Sequence, residues 1–525
     1  VDRWFNTAGI CLPDRHFMIP AAARLPEVPR LVAREAYFVV HAPRQTGKTT
    51  TLRALADELT ATGHYAALLF SCEAGRPAGD DYGAAARTIL DQIRSTARDA
   101  LPADLQPPDW PDAADGALLG AGLQAWARAC ARPLVLFFDE IDALAGQSLI
   151  SVLSQLRAGY NGRPAPFPAS VALCGLRDVR DYKAASGGDP SRLGTSSPFN
   201  IKLTSLRLGN FTPDEVAELY GQHTAEVGQE FTPAAVERAV ELTGGQPWLV
   251  NALAAEIVDE LAVPTAEPIT VDHVETAKER LILARATHLD SLAARLAEPR
   301  VRRVLEPVLA GTLPELDPYD DDLSYTRDLG LVAEKLPVRV TNPIYREVIA
   351  RVLTANTEAQ VIADPRAFVR ADGRLDFDLL LAEFADFWRE HADTLVRGTV
   401  YHEAACQLVF MAFLQRVVNG GGQIDREYGV GRGRIDLLVR WPYLDSDGKR
   451  AVQREAIELK VRRAGETDPA RRALGQLDHY LDRLSLPTGT LVIFDRRPDA
   501  RPVPDRTRID PVTSEAGRPI SLLRA

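Results

Sequence analysis

Residues 37–60, YFVVHAPRQTGKTTTLRALADELT, pass from large apolar residues through a loop with one glycine and one lysine into an amphipathic stretch. Nothing else in the 525 residues limits the fold as tightly. The loop APRQTGKT, Ala42–Thr49, has the spacing of a phosphate-binding loop, GxxxxGK[ST], with Ala42 in place of the first glycine. Gly47 lets the backbone turn so that amide N–H groups face phosphate. Lys48 brings a positive charge to the β and γ phosphates, and Thr49 offers a hydroxyl to Mg2+. The nucleotide-binding candidates are Ala42, Gln45, Thr46, Gly47, Lys48, Thr49 and Thr50.

Apolar runs at 37–41, 65–71, 134–138, 170–174 and 199–208 alternate with helical patterns, which implies a parallel sheet with crossover helices. In PLVLFFDEID, residues 133–142, a buried strand delivers Asp139 and Glu140 to its C-terminal end. An acidic turn after a strand is common. Beside Lys48 it gains a purpose: Asp139 joins Thr49 in the magnesium shell, and Glu140 polarises the attacking water.

These motifs resemble AAA-type and STAND-type P-loop ATPases, the group that includes archaeal-type ATPases fused to nuclease domains. The resemblance covers roughly residues 1–290. It implies ATP and Mg2+ as cofactors, an ATPase core over 1–210 and a helical lid over 211–290. In that group the strand after the acidic motif ends in a polar sensor. Here SVALCGLRDVRDYK makes Arg177 the candidate γ-phosphate sensor, with Arg180 as the second choice. The group's lid carries a GxP motif against the base, and Gly245, Gln246 and Pro247 of GGQPWLVN stand in its place. A proline in the first turn of a helix is ordinary in either case. His16, Tyr37 and Trp248 are candidates for the adenine pocket, with core packing as the alternative for each. No arginine finger acting in trans is recognisable, so the choice between self-association through the ATPase and an unknown protein trigger stays open.

The lid sequence TPDEVAELYGQHTAEVG opens with Thr212 and Glu215 at capping-box spacing. Residues 291–355 read as helices, a hairpin around Lys335–Pro337 and a further helix. That is a winged-helix-like module, or alternatively a helical bundle with an extended loop. Residues 356–395 read as a helical linker, and 396–525 as a separate α/β unit.

In that last unit, REAIELKV alternates so that Glu458 and Lys460 share one face of a strand. GRGRIDLLVRW places Asp436 at the start of another strand. Asp, a gap, then Glu-x-Lys is weak by itself, because an exposed charged strand produces it easily. The context adds to it. VYHEAACQLVFMAFLQRV is a helix with Glu403 near its start, and GQLDHYLDRL sets Gln476 and Tyr480 four apart on one helix face. Together they resemble the PD-(D/E)xK restriction-endonuclease-like fold, in its RecB-like branch with a QxxxY motif. The resemblance implies Asp436, Glu458 and Glu403 as ligands of Mg2+ or Mn2+, with Lys460 and Gln476 beside them in catalysis. Carboxylate oxygens suit such hard cations. Arg432 and Arg434 could hold phosphate or form a solvated hairpin turn.

Net charge is −11, yet residues 395–525 carry 22 Lys and Arg against 17 Asp and Glu. Any DNA contact is therefore expected at the C-terminal end, although the bias is modest. No apolar run approaches the ~18 residues of a membrane span, and VDRWFNTAGICLPDRHFM is too polar for a signal peptide. The five cysteines are scattered, which fits reduced thiols in the cytoplasm and no zinc site. The expected function is an ATP-regulated, metal-dependent DNA nuclease, an architecture that would suit defence against foreign DNA. The alternative is an ATP-dependent DNA-binding or signalling switch whose nuclease-like domain docks without catalysis. A translocating repair motor fits less well, because the chain has a single ATPase core.

Overall fold

Both faces of YFVVH are apolar because both are covered. In strand β1 (Tyr37–His41) Tyr37 and Val39 enter one core cluster while Phe38 and Val40 enter another. This computed structural model describes residues 3–176, 201–284, 287–309, 320–335, 337–358, 365–397, 402–418, 421–430, 433–462, 465–497 and 499–525. The chain divides into two compact units, 1–286 with 327–331, and 287–326 with 332–525.

The first unit begins with helix α1 (Val28–Ala33), β1 and α2 (Lys48–Ala61). β2 (Ala66–Ser71), α3 (Tyr82–Ala100), α4 (Leu118–Ala129), β3 (Leu134–Asp139), α5 (Gly146–Asn161), β4 (Ser170–Gly175) and β5 (Lys202–Arg207) follow. The strands form one parallel sheet in the order β2-β3-β4-β1-β5. α1 and α2 cover one face; α3, α4 and α5 cover the other. That double cover is why the strands read as unbroken apolar runs rather than alternating ones.

Helices α6 (Pro213–Val227), α7 (Pro233–Thr243), α8 (Pro247–Ala255), which runs on into a π-helical turn at Glu256–Glu260, and α9 (Val271–Leu283) follow in this unit. The capping box at Thr212 and Glu215 is formed in both directions. Gly245 sits at φ +71°, and a Cβ there would stand 2.0 Å from the Phe211 carbonyl oxygen, so the turn before α8 admits glycine alone. The stretch 327–331 also packs here. Arg207 donates to the Arg327 carbonyl, and a Cβ on Gly330 would lie 2.8 Å from the Pro43 ring.

The second unit contains α10 (Thr287–Arg295), α11 (Pro299–Leu309), α12 (Asp321–Asp328) and α13 (Pro343–Glu358). Where a hairpin is expected around Lys335, a single antiparallel bridge joins Val332 and Val340. α14 (Phe377–Arg397) and α15 (His402–Val418) precede β6 (Gln423–Val430), β7 (Gly433–Leu444) and β8 (Arg450–Arg462). α16 (Ala470–Leu484), β9 (Gly489–Asp495), β10 (Arg508–Thr513) and β11 (Pro519–Arg524) end the chain. The strands make a mixed sheet, β10-β11-β9-β8-β7-β6. α14 and α15 bury one face through Phe384, Trp388, Phe410 and Leu414; α16 covers the other through Leu477, Tyr480 and Leu481. Residues 377–397 are thus not a bridge between domains. Their Leu380, Leu381, Phe384 and Trp388 are core, because an amphipathic helix with this much aromatic surface needs a sheet face to cover. No helix among the described residues is long and apolar enough to cross a membrane. All five cysteines are free.

Candidate functional site

The loop after β1 turns through two left-handed residues, Gln45 at φ +58° and Gly47 at φ +82°, and Gly47 then caps α2. This aims the first amides of α2 at one point, the arrangement that binds phosphate. Lys48 curls back, its Nζ donating to the carbonyls of Ala42 at 3.1 Å and Gly175 at 2.9 Å. Burial lowers its pKa, and Asp139 opposes that shift. Ala42, which stands where the motif has its first glycine, is fully buried.

The Thr49 hydroxyl donates to Asp139 Oδ2 at 2.7 Å, joining the loop to the end of β3. Burial raises the Asp139 pKa against that hydrogen bond and the Lys48 charge. A hydroxyl and a carboxylate in contact beside the lysine are a fitting donor pair for Mg2+. Glu140 is exposed at φ +53°, and its Oε2 accepts from the Ser71 hydroxyl at the end of β2.

Beside the loop lies a cleft of about 690 Å³, its open mouth included. Thr7, Phe17, Gln45, Phe211, Pro247 and Trp248 are among its walls, and Thr50 also lines it. Trp248 Nε1 donates to the Thr7 carbonyl at 2.8 Å, which fixes the indole. Gln246 caps α8 through the Leu249 amide and donates to the Gln45 carbonyl at 3.2 Å, so the lid touches the loop directly. Arg24, not foreseen from the sequence, donates to the carbonyls of Thr46 at 2.8 Å and Gly209 at 2.5 Å. Burial lowers its pKa to about 10, and Glu215 opposes the shift.

Of the three proposed adenine-pocket aromatics, only Trp248 lines the cleft. Tyr37 is fully buried at the opposite end of β1, where its hydroxyl donates to the Pro168 carbonyl at 3.0 Å. His16 accepts from the Leu12 amide and meets Trp4 edge-on, a structural tie of the N-terminal segment. Arg177 and Arg180, the proposed sensors, lie outside the described residues.

In the second unit, β7 and β8 pair through Leu437 and Ile457, and Asp436 and Glu458 lie one residue further along. Lys460 Nζ is 2.5 Å from Glu458 Oε1 and 4.0 Å from Asp436 Oδ2. Asp436 Oδ2 also accepts the Leu459 amide at 2.7 Å. Glu458 is completely buried, and its Oε2 has no hydrogen-bond partner among the described residues. Burial, then the Asp436 charge, pushes its carboxyl up to about 7, with Lys460 opposing both. Asp436 is raised by burial too. Two convergent carboxylates with one unspent buried oxygen are a donor set that fits a divalent cation.

On α16, Gln476 donates to the Tyr480 hydroxyl at 3.0 Å, so this pair is formed on the helix that covers the same sheet face. Glu403 belongs to α15, but its side chain lies outside the described residues, as does that of Arg434; Arg432 lies outside them altogether. Among the described residues no third His, Cys, Asp or Glu joins Asp436 and Glu458.

Loop, acidic strand end and parallel sheet together define a P-loop nucleotide hydrolase core. Residues 33–182 match the family model described as AAA domain, and this part of the chain is an AAA-type ATPase domain, which binds nucleotide, usually with Mg2+. No curated protein matches the chain. Among solved structures it is similar to the Walker-type ATPase PABY2304 of Pyrococcus abyssi, at 14% identity and TM-score 0.46, covering 66% of this chain and 99% of that one. It is also similar to ORC1 of Aeropyrum pernix in complex with DNA, at 14% identity and TM-score 0.35, covering 66% and 95%. A third is the RuvB Holliday junction branch migration motor of Thermotoga maritima, at 18% identity and TM-score 0.34, covering 62% and 92%.

Proposed function

We propose that the chain is an ATP-regulated, metal-dependent nuclease acting on DNA, in which an AAA-type ATPase domain governs a C-terminal site built on Asp436, Glu458 and Lys460. One observation carries the reading: Glu458 is buried beside Asp436 with an oxygen left unpaired, a costly arrangement that a purely structural sheet would not keep. In the ATPase, Lys48 and the loop amides would hold the β and γ phosphates, and Thr49 with Asp139 would hold Mg2+. Glu140 orients the attacking water, and the Ser71 hydroxyl holds that carboxylate in place. Arg24 and Gln246 carry the state of the loop to the lid, since both touch loop carbonyls from outside it.

In the second unit Asp436 and Glu458 would hold Mg2+ or Mn2+, which supplies Lewis acidity toward the scissile phosphate. Lys460, on the same face, places a positive charge where the phosphate gains negative charge. Gln476 and Tyr480 approach from α16 and orient the substrate.

The test is incubation of the full chain with plasmid, linear and single-stranded DNA and with RNA, with and without ATP and Mn2+. Cleavage that disappears in Asp436→Ala and Lys460→Ala, with ATP turnover unchanged, supports the reading. Metal binding should persist in Lys460→Ala, because lysine is not a ligand. If wild type cuts nothing under any condition, the domain is a docking module of an ATP-dependent switch. If Asp436→Ala cuts at the wild-type rate, the activity resides elsewhere.

A further inference from the structure

Beside the C-terminal ends of β8, β9 and β11 and the start of β10 is a cavity walled by arginine. Arg462, Arg497, Arg501, Arg506, Arg508 and Arg524 line it, against two aspartates, Asp468 and Asp495, around an empty volume of about 850 Å³ that includes its mouth. Its position follows from strand register. β8 and β9 run parallel with Glu458 beside Leu491, Lys460 beside Ile493 and Arg462 beside Asp495. Side chains alternate, so Arg462 shares the face of Glu458 and Lys460 and lies about 7 Å beyond Lys460 along the strand. On β11, Leu522 packs with Leu491 and Ile493 while Leu523 enters the opposite core, which puts Arg524 on that same face. Arg508 is its cross-strand partner. A row of cations therefore leaves the Asp436–Glu458–Lys460 group and crosses the ends of three further strands.

Three of these arginines are held by ion pairs: Arg497 to Asp495 at 2.8 Å, Arg524 to Asp468 at 2.9 Å and Arg508 to Asp510 at 2.8 Å. Each guanidinium has five N–H donors, so a single carboxylate orients it without exhausting it. Planar forks fixed in this way match phosphate oxygens, and they stay charged at any physiological pH. Six guanidiniums against three carboxylates, Asp468, Asp495 and Asp510, leave an excess of positive charge that favours an anion. Phosphates advance ~3.4 Å per nucleotide along a duplex axis and stand further apart than that along the strand itself, so a site about 7 Å from Lys460 would meet the chain about one phosphate from the reacting one.

We propose that this cavity binds backbone phosphates of the nucleic-acid strand leaving the candidate cleavage site. The inference rests on the nuclease reading for what the strand does at Asp436, but its own content is a phosphate site. The experiment measures binding of a labelled single-stranded oligonucleotide to the full chain in Ca2+ across a salt series, and cleavage of the same oligonucleotide in Mn2+. Arg501 and Arg508 are both exposed and are the variants of choice. Arg501→Ala/Arg508→Ala should weaken binding by at least about tenfold and flatten the slope of log affinity against log salt by about 1.4, two contacts at ~0.7 each. Arg501→Lys/Arg508→Lys should fall between, since it keeps charge and loses the fork. ATP turnover and the melting profile should be unchanged. If the double variant melts early, Arg501→Ala alone should still flatten the slope by about 0.7.

Unchanged affinity and slope in both variants would overturn the proposal, as would a wild-type chain that binds no oligonucleotide. Inorganic pyrophosphate is the competitor, used in a Lys48→Ala background so that the nucleotide loop does not take it up: if its binding depends on Arg501 and Arg508 and the oligonucleotide cannot displace it, the cavity is a small-anion site and the proposal fails. Arginine-dependent binding without cleavage would uphold the phosphate site and sink the nuclease reading. Cleavage without arginine dependence would do the reverse.

Discussion

Lys48 and Glu140 divide the work of the first site, and substitution separates them. Lys48→Ala removes the charge facing the β and γ phosphates, so ATP binding, read by calorimetry, should be lost. Glu140→Gln keeps a side chain that still meets Ser71 but cannot act as a base. ATP should bind at near wild-type affinity while kcat falls about 100-fold. Hydrolysis at the wild-type rate would remove Glu140 from the mechanism. Gly245 is a different kind of residue. Its φ of +71° and the 2.0 Å approach of Phe211 O mean that Gly245→Ala must displace backbone. The cost should exceed about 1 kcal/mol and appear as a lower melting temperature of the ATPase unit, with the lid end of the cleft loosened. A variant that melts with wild type would show that the turn can relax.

Between elements, the buried link from α13 to β6 makes a testable prediction about acid. Glu347 on α13 is paired with Arg426 on β6 and, at 2.6 Å, with Arg351 one turn along. Burial by itself would raise the carboxyl, but the two guanidiniums outweigh it and hold the pKa at about 2. A depressed carboxyl stabilises the fold above its unfolded pKa of about 4.5, and the contribution disappears as pH falls through about 2. Its size is about 3 kcal/mol. Denaturant titrations should thus show stability falling over that window in wild type and a flatter acid limb in Glu347→Gln, which is weaker at neutral pH. Equal limbs would mean that the pair is solvated. This link also illustrates what the sequence withholds. β1, the loop and α2 are legible because their chemistry is contiguous, and the capping box at Thr212 is four residues long. Glu347 and Arg426 carry no local sign of each other. β10 and β11 are hard to see in the sequence: RIDPVT is short, polar and interrupted by proline, and PISLLR is a short segment that opens on proline, so their strand character comes from the sheet they join. The arginine cavity depends on those strands, so it was invisible too. Tyr37 opens β1, so the whole strand separates it from the loop, and its ring packs at the far end of the sheet rather than in the cleft.

At the scale of the molecule, the two candidate sites stand in separate compact units, 1–286 with 327–331 and the remainder. ATP turnover by the isolated full chain should accordingly be the same in wild type and Glu458→Ala within a factor of about two, as sites without shared partners behave additively. A large loss of turnover would instead reveal dependence of the ATPase on the second unit. The segment 327–331 has its own consequence. The division along the chain is not serial, because the backbone passes from one unit to the other three times. A single protease nick near residue 286 would cut the covalent chain without freeing either piece. The C-terminal fragment would keep its grip through Gly330 against Pro43, at the entrance to the nucleotide loop. On a native column the nicked protein should elute as one species, and in urea as two.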